Sequence, residues 1–439
     1  MACQFPNELM ETIFIQMNAE NLMQSRKVCH RWNEIISKLE RNGSLWLDFC
    51  LEEIPLHSLT DITKMQELYA AQKGNIFYHL LSKLGWIFWK EIFKEYVRAR
   101  RVKNELYAIT TIKYNPDNGQ VTSLALHDLL LYSGFENGDV YIWKNIDSGQ
   151  RSTKVVESVH CPVQAIFCDP EGTTSSKVLK GEVRNTESLI VVYRDLVKFV
   201  RYRYTSESGN KRSEWLLEVP RKPCENSFEF CPIIPSDDKV WFEWYTGNQF
   251  HFVTSEKETV HVSTSMDRIT TSDSSSGMIV LGMRTGDIVY CDNLETHGNL
   301  LAIGHTSDIE YKVLGNVGSS VRQLINKGRY VVCLTDDCNI YVSINLSRFH
   351  CLDAHTSFGC RVECIAWHGA ILAIGTKYGI VHVYHVPQER DLQNLDLRKN
   401  IAISLDCEHI NAIAIGDDGS RPVIAVATDV VGVIYVIRW

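Results

Sequence analysis

Two hydrophobic rhythms run along the 439-residue chain, and one gives way to the other near residue 104. Upstream, apolar side chains recur every three or four positions, the spacing of amphipathic helices. Downstream, short β-branched and aromatic runs alternate with Gly, Asp and Asn turns as far as Trp439, which predicts strands. The first helix is expected to open at Phe5-Pro6-Asn7-Glu8, since proline is tolerated in a first turn and an acidic residue suits the dipole there. Leu9, Ile13 and Met17 then share a face, with Phe14 beside them. Asn18 is placed to cap a second helix whose apolar face carries Leu22, Cys29, Trp32 and Ile36, flanked by Val28 and Ile35. Gly43 ends that run, and Leu45-Trp46 follow. A helical unit of about forty residues buries too little surface to stand alone, so it needs a partner or a neighbouring domain.

The next stretch predicts a helical connector. Met65, Leu68 and Tyr69 mark one helix. Residues 77–101 mark a longer one, buried along Leu80, Leu81, Leu84, Ile87, Phe88 and Phe93. Its basic end, Arg98-Ala99-Arg100-Arg101, is read as a solvated terminus with cations at the negative pole of the dipole, in preference to a nucleic-acid or import patch.

Beyond residue 104 the pattern repeats. Each unit is an apolar strand, a short turn, a second apolar strand, a Gly/Asp/Asn turn and a third strand ending in an aromatic. The clearest copies are VTSLALHDLLLYSGFENGDVYIWKN from Val121 and RVECIAWHGAILAIGTKYGIVHVYHV from Arg361. Weaker copies begin near Val163, Phe228, Arg268, Val321 and Ile410, giving seven at a spacing of about 40–65 residues. The polar stretch EGTTSSKVLKGEVRNTES (171–188) lengthens the second copy and is expected to be a surface loop. A lone strand, ELYAITTIKYN (105–115), precedes the first unit, while the last unit stops short of a fourth strand. Pairing the two would close a ring.

Composition removes several function classes. The net charge of −8 is uneven: residues 1–103 carry 14 Lys+Arg and 12 Asp+Glu, leaving 31 and 41 for the remainder. An acidic large domain disfavours nucleic acid as a partner. Fourteen cysteines without one Cys-x-x-Cys pair read as reduced, mostly buried thiols, with neither zinc nor disulfides expected. The N-terminus lacks a basic start followed by an apolar run, and no stretch reaches the roughly 18–20 apolar residues of a membrane span. The chain therefore reads as intracellular, cytoplasmic and/or nuclear, with no membrane partner. Gly-rich phosphate loops, His-Glu-x-x-His and Gly-x-Ser-x-Gly are absent from the sequence. No catalytic residue, metal or cofactor is expected. His160, His355 and His409 precede first strands of different units, so they are expected to tie blade strands together. The aromatic run Trp241-Phe242-Trp244-Tyr245, with Phe250 and Phe252, is expected to pack within a blade rather than form a sugar-stacking platform.

The helical segment FPNELMETIFIQMNAENLMQSRKVCHRWNEIISK, followed by Leu45-Trp46, resembles the F-box. The matching positions are Pro6, Glu8-Leu9, Ile13-Phe14, Asn21-Leu22, Arg26, Val28-Cys29, Trp32 and Leu45-Trp46, with Phe5 and Asn21 standing where the family has Leu and Asp. Trp89-Lys90, Phe93 and the basic tail resemble the helix that often follows an F-box. The repeats resemble WD40 units, with Trp143-Lys144 and Tyr384-His385 at the family's Trp-Asp position. Together they resemble the F-box/WD40-repeat family, which implies an α plus all-β multidomain chain: F-box (1–50), helical connector (51–103) and a WD40-like seven-bladed β-propeller (104–439).

The resemblance further implies a non-catalytic substrate-recognition adaptor of an SCF-type, cullin–RING ubiquitin ligase. Phe5, Pro6, Leu9, Ile13, Phe14, Met17, Leu22, Val28, Cys29, Trp32 and Ile36 would bind a Skp-family linker and, through it, a cullin. The propeller would present a protein target, with Gln120, Arg322, Arg361 and His409 at the heads of first strands as candidate contacts. Clustered arginines would suit a phosphorylated target, whereas the acidic domain speaks against one. A propeller scaffold bound to the linker without a degraded target is the alternative. A propeller hydrolase would need carboxylates at repeated positions around the central channel, and the sequence shows none.

Overall fold

Phe14 and Trp32 meet edge to face, ring centroids 5.4 Å apart at 70°, in a computed structural model of the chain. The structure describes residues 5–42, 44–63, 65, 81–104, 106–127, 130–144, 151–156, 160–168, 186–193, 196–203, 212–220, 230–233, 241–246, 249–253, 259–263, 268–275, 278–291 and 311–439. Around the aromatic pair stand α1 (Asn7–Ile15), α2 (Ala19–Ser25) and α3 (His30–Asn42). Asn18 caps α2, its Oδ1 accepting the Asn21 N–H at 2.8 Å. The single second helix expected from the sequence is two helices. The break between them lets Arg26 fold back along α3, donating to Asn33 Oδ1 at 2.9 Å and Ser37 Oγ at 3.1 Å, and to both Glu40 oxygens at 3.0 and 2.9 Å. Four donated bonds reward the turn more than a continuous helix would.

Then follow α4 (Leu45–Glu53), α5 (Leu56–Thr63), α6 (Trp86–Ala99) and a 3-10 turn, Arg100–Lys103. Trp46 packs on Phe49 at 5.6 Å and on Phe93 at 5.7 Å. The expected helix over 77–101 is shorter: Gly85, at φ +82°, breaks the register just before α6. That break turns Trp89, Ile92, Phe93 and Tyr96 inward and leaves Ile87 61% exposed, against expectation. Leu68, Tyr69, Phe77 and Leu80 lie outside the described residues.

After residue 104, antiparallel pairing forms seven four-stranded sheets: residues 121–156, 163–220, 230–263, 269–316, 321–352, 362–404, and 410–438 joined by Ala108–Lys113. First strands of successive sheets lie side by side from the third sheet round through the seventh and first to the second, a propeller arrangement. Side chains are described for six of these sheets; the third, with the Trp241–Phe252 aromatics, is described in its backbone pairing alone. The expected seven blades are thus corrected to six described as packed blades and one sheet known by pairing. Of the expected surface loop 171–188, residues 171–185 lie outside the described residues, and Thr186–Ser188 instead open the strand Thr186–Tyr193. Ala108–Lys113 is the outer strand of the seventh sheet, Ala108 opposite Arg438 and Lys113 opposite Val433.

One irregularity recurs at the top of six innermost strands. Pairing slips just after the first residue, between Val121/Ser123, Val163/Ala165, Ile269/Thr271, Val321/Gln323, Val362/Cys364 and Ile410/Ala412. Such a bulge takes the skipped residue out of the ladder and re-aims its side chain. Four of the skipped residues reach the next sheet's first carbonyl: Thr122 to Val163 O and Thr270 to Val321 O at 2.6 Å, Asn411 to Val121 O at 3.3 Å, and Arg322 to Val362 O. Sheets so stitched approach closely. A β-carbon at Gly134 would stand 2.5 Å from Val163 Cγ1, so only glycine fits there. Buried Cys50, Cys333, Cys338, Cys360 and Cys364 agree with the expected thiols, whereas Cys29 and Cys351 are exposed.

Candidate functional site

The helical module sorts the expected docking residues into two groups. Phe14, Leu22 and Ile36 are fully enclosed, and Met17 and Trp32 are half-buried against the same core. The first three hold the module together and offer a partner no surface, a correction to their expected role, whereas Met17 and Trp32 keep part of their surface in water. Phe5, Pro6, Leu9, Ile13, Val28 and Cys29 are exposed, Leu9 at 44% and Val28 at 61%. On α1 the buried face is Met10 and Phe14, so the stripe Phe5–Leu9–Ile13 faces water. Arg31 ties that stripe to the start of α3, donating to Phe5 O at 2.6 Å and Asn7 Oδ1 at 2.7 Å. Val28 and Cys29 sit just before α3, on the same side of this tether in the chain. An apolar stripe left in water on so small a module marks a contact surface.

Residues 3–42 match the F-box domain family. No curated protein matches the chain. Among solved structures, the WD40 repeats of RRP9 superpose with a TM-score of 0.50 at 12% identity, covering 75% of this chain and 97% of that one. A computationally designed protein, Ika8, gives 0.44 at 14% identity over 73% and 97%, too distant to carry an argument. The chain therefore has an F-box domain followed by a WD40-like propeller fold. Among the described residues, no helix is long and apolar enough to cross a membrane and no group of three or more His, Cys, Asp or Glu is placed to hold a metal.

The connector fastens the F-box to the propeller through charged side chains, among them those of the basic tail. Glu40, almost fully buried on α3, accepts from Lys90 of α6 at 2.9 Å as well as from Arg26. Arg98 grips Asp417 with two bonds, of 2.9 and 2.7 Å. Arg100 pairs with Glu20 at 3.1 Å, and Arg101 donates to Ser420 O at 3.0 Å. Arg98 is thus a part-buried clamp on Asp417, while Arg100 and Arg101 stay exposed as expected of a solvated end and make surface contacts with Glu20 and Ser420. On the other side of the connector, Asp61 accepts the Gly369 N–H at 2.6 Å and pairs with Lys327, and His368 lies 3.4 Å from Glu95. His57 is buried between Tyr330 and Trp367, and that burial pushes its imidazole down to about 4.

On the propeller, one backbone bond recurs and fixes the register of the candidate target contacts. Glu136 N donates to Gln120 O, Asp336 N to Ser320 O and Lys377 N to Arg361 O at 2.9 Å, and Asp429 N to His409 O at 3.1 Å. Gln120, Arg361 and His409 therefore hold equivalent places on the first, sixth and seventh sheets. Arg322 does not: it is a skipped residue, equivalent to Glu363, and belongs to the stitching between sheets. Three of the four candidates nonetheless converge. Glu363 lies 3.6 Å from Arg361, 3.7 Å from Arg322 and 3.9 Å from His409. Gln120 joins them through Asp429, donating to its O at 3.3 Å while the Asp429 N–H bonds to His409 O. Sequence reasoning missed Glu363, although its place one residue after the first apolar position of a unit was legible.

The remaining two histidines lie at the surface. His355 is exposed on a short helix, Ala354–Phe358, and His160 is exposed at φ +53°. Neither is enclosed within a blade.

Proposed function

We propose that this chain is the substrate-recognition subunit of an SCF-type, cullin–RING ubiquitin ligase. The exposed stripe Phe5–Leu9–Ile13 with Val28 and Cys29 docks the Skp-family linker and, through it, the cullin. The propeller, with residues 230–263 completing a seven-bladed ring, holds the target. Domain limits of 1–50, 51–103 and 104–439 fit this division. The chain makes no covalent bond itself; it raises the target's effective concentration at the charged enzyme. The Glu40–Lys90 and Arg98–Asp417 pairs give the scaffold its stiffness, because both cross between elements that would otherwise pivot.

The observation that supports this reading is the solvent-facing apolar stripe on a domain matching the F-box family. Leu9→Asp/Val28→Asp changes exposed residues and leaves the Phe14–Trp32 core intact. Pull-down of purified Skp-family linker should fail with this variant and succeed with the wild-type chain. Undiminished capture by the variant would overturn the docking assignment.

A further inference from the structure

A cleft of about 620 Å3 lies where the connector meets the outer half of the sixth sheet, between Val102-Lys103, the strand Ile380–His385 and residues 390–401. Its rim carries Lys103, Arg390, Arg398 and Lys399, with Asp391 and Asp396. The two acids are engaged locally. Asp391 accepts the Gln388 N–H at 3.1 Å, and Asp396 accepts the Arg398 N–H at 3.1 Å and pairs with Lys399 at 3.6 Å. The side chains of Lys103, Arg390 and Arg398 make no hydrogen bond or ion pair among the described residues. His385 also lines the cleft, both its ring nitrogens buried and without a partner. The Arg398 charge is felt by Asp353, but in a chain of net charge −8 four cations against two acids on one rim still run against the overall sign.

We propose that this cleft is a second recognition site, one that takes an anionic peptide segment whose carboxylate or phosphate groups pair with Lys103, Arg390 and Arg398. Unpaired cations around a concavity focus positive potential, and guanidinium groups grip planar or tetrahedral oxyanions with two bonds each. Burial, and then the Lys103 and Arg100 charges, hold the His385 imidazole down at about 4. An anion in the cleft offsets that cationic field and offers the ring N–H an acceptor. The site stands on the wall of the propeller, apart from the innermost strand that carries Glu363, so a segment bound here adds a second point of attachment.

The test titrates the full-length chain with three probes: a short fluorescein-labelled Asp/Glu-rich peptide, the same backbone carrying phosphoserine in place of the acids, and inorganic phosphate as competitor. Binding of either peptide is expected, weakened by salt. It should fall by about tenfold or more in Arg390→Glu/Arg398→Glu, exposed positions whose reversal leaves the melting temperature unchanged. The tighter of the two peptides identifies the source of the anion. Lysine acetylation read by mass spectrometry supplies a second measurement, since a bound peptide should protect Lys103 and Lys399. Absence of binding by both peptides, or equal binding by wild type and variant, overturns the proposal, and so does unprotected Lys103 at saturating peptide.

Discussion

Lys90 reaches Glu40 at 2.9 Å across fifty positions of the chain, and the contact joins the last F-box helix to the connector. Glu40 carries two cations on one buried carboxylate, with Lys90 held below the ordinary lysine range chiefly by burial. Glu40→Gln would leave Arg26 and Lys90 facing each other without a counter-charge. Breaking one side of a buried pair typically costs about 3–5 kcal/mol, and the partial exposure of Arg26 places this case near the lower end. Hydrogen exchange over α3 and α6 should show both helices loosening together. Loss of protection in α3 alone would mean that the pair does not couple them.

How much of this was legible in the sequence depends on which physical signal each feature leaves. Helix and strand territories, the start of each sheet and the closing strand at Ala108–Lys113 follow from periodicity, because burial imposes period 3.6 or 2 on the residues themselves. The face of α1 was not legible. Leu9, Ile13 and Met17 keep helical spacing as well as Met10 and Phe14 do, and only the position of α3 decides which set is covered. The Arg98–Asp417 clamp lies between residues 319 apart, and no local pattern encodes such a pairing. Arg322 misled for a similar reason: counting from the start of a strand puts it beside Arg361, and only the bulge moves it into the stitching set.

Completion of the seventh sheet by Ala108–Lys113 makes that outer strand indispensable. Removing residues 1–115 takes away Ala108–Lys113 and opens the Val433–Arg438 edge, which presents unpaired backbone groups to other chains. Aggregation on expression is the expected result. Removing only residues 1–42 keeps that strand and the α4–α6 packing, so light scattering should report a monodisperse protein. Equal solubility of the two truncations would contradict the pairing.

The buried His57 makes the connector–propeller junction sensitive to acid. Its folded imidazole is lowered from 6.5 to about 4 by burial, so between those values the unfolded chain binds the extra proton. The stabilisation is complete above about pH 6.5 and is lost as pH falls toward 4, amounting to about 3 kcal/mol at the limit. Denaturant unfolding of wild type should weaken over that window. His57→Asn should show a shallower pH slope, and an unchanged slope would place the titration elsewhere.

Arg322 and Arg361 should respond oppositely to charge reversal, although both approach Glu363. Arg322 is 23% exposed and donates to Val362 O and, at 3.0 Å, to Glu363 O, stitching the fifth sheet to the sixth. Arg322→Glu removes those bonds and sets a second carboxylate against Glu363, at a cost of several kcal/mol by analogy with other broken buried pairs. The melting temperature should fall and target capture should drop only as the propeller unfolds. Arg361 is 52% exposed and gives Glu363 one longer contact of 3.6 Å, so Arg361→Glu should leave the melting temperature within a degree or so. Any loss of captured protein in that variant then reports recognition itself. Because Glu363 already balances part of this charge, a phosphate-dependent target should bind less tightly here than at three free arginines. Phosphatase treatment of the lysate should therefore change the captured set little. A set that vanishes with phosphatase and with Arg361→Glu, while the fold is intact, would show that the target displaces Glu363 and binds through its phosphate.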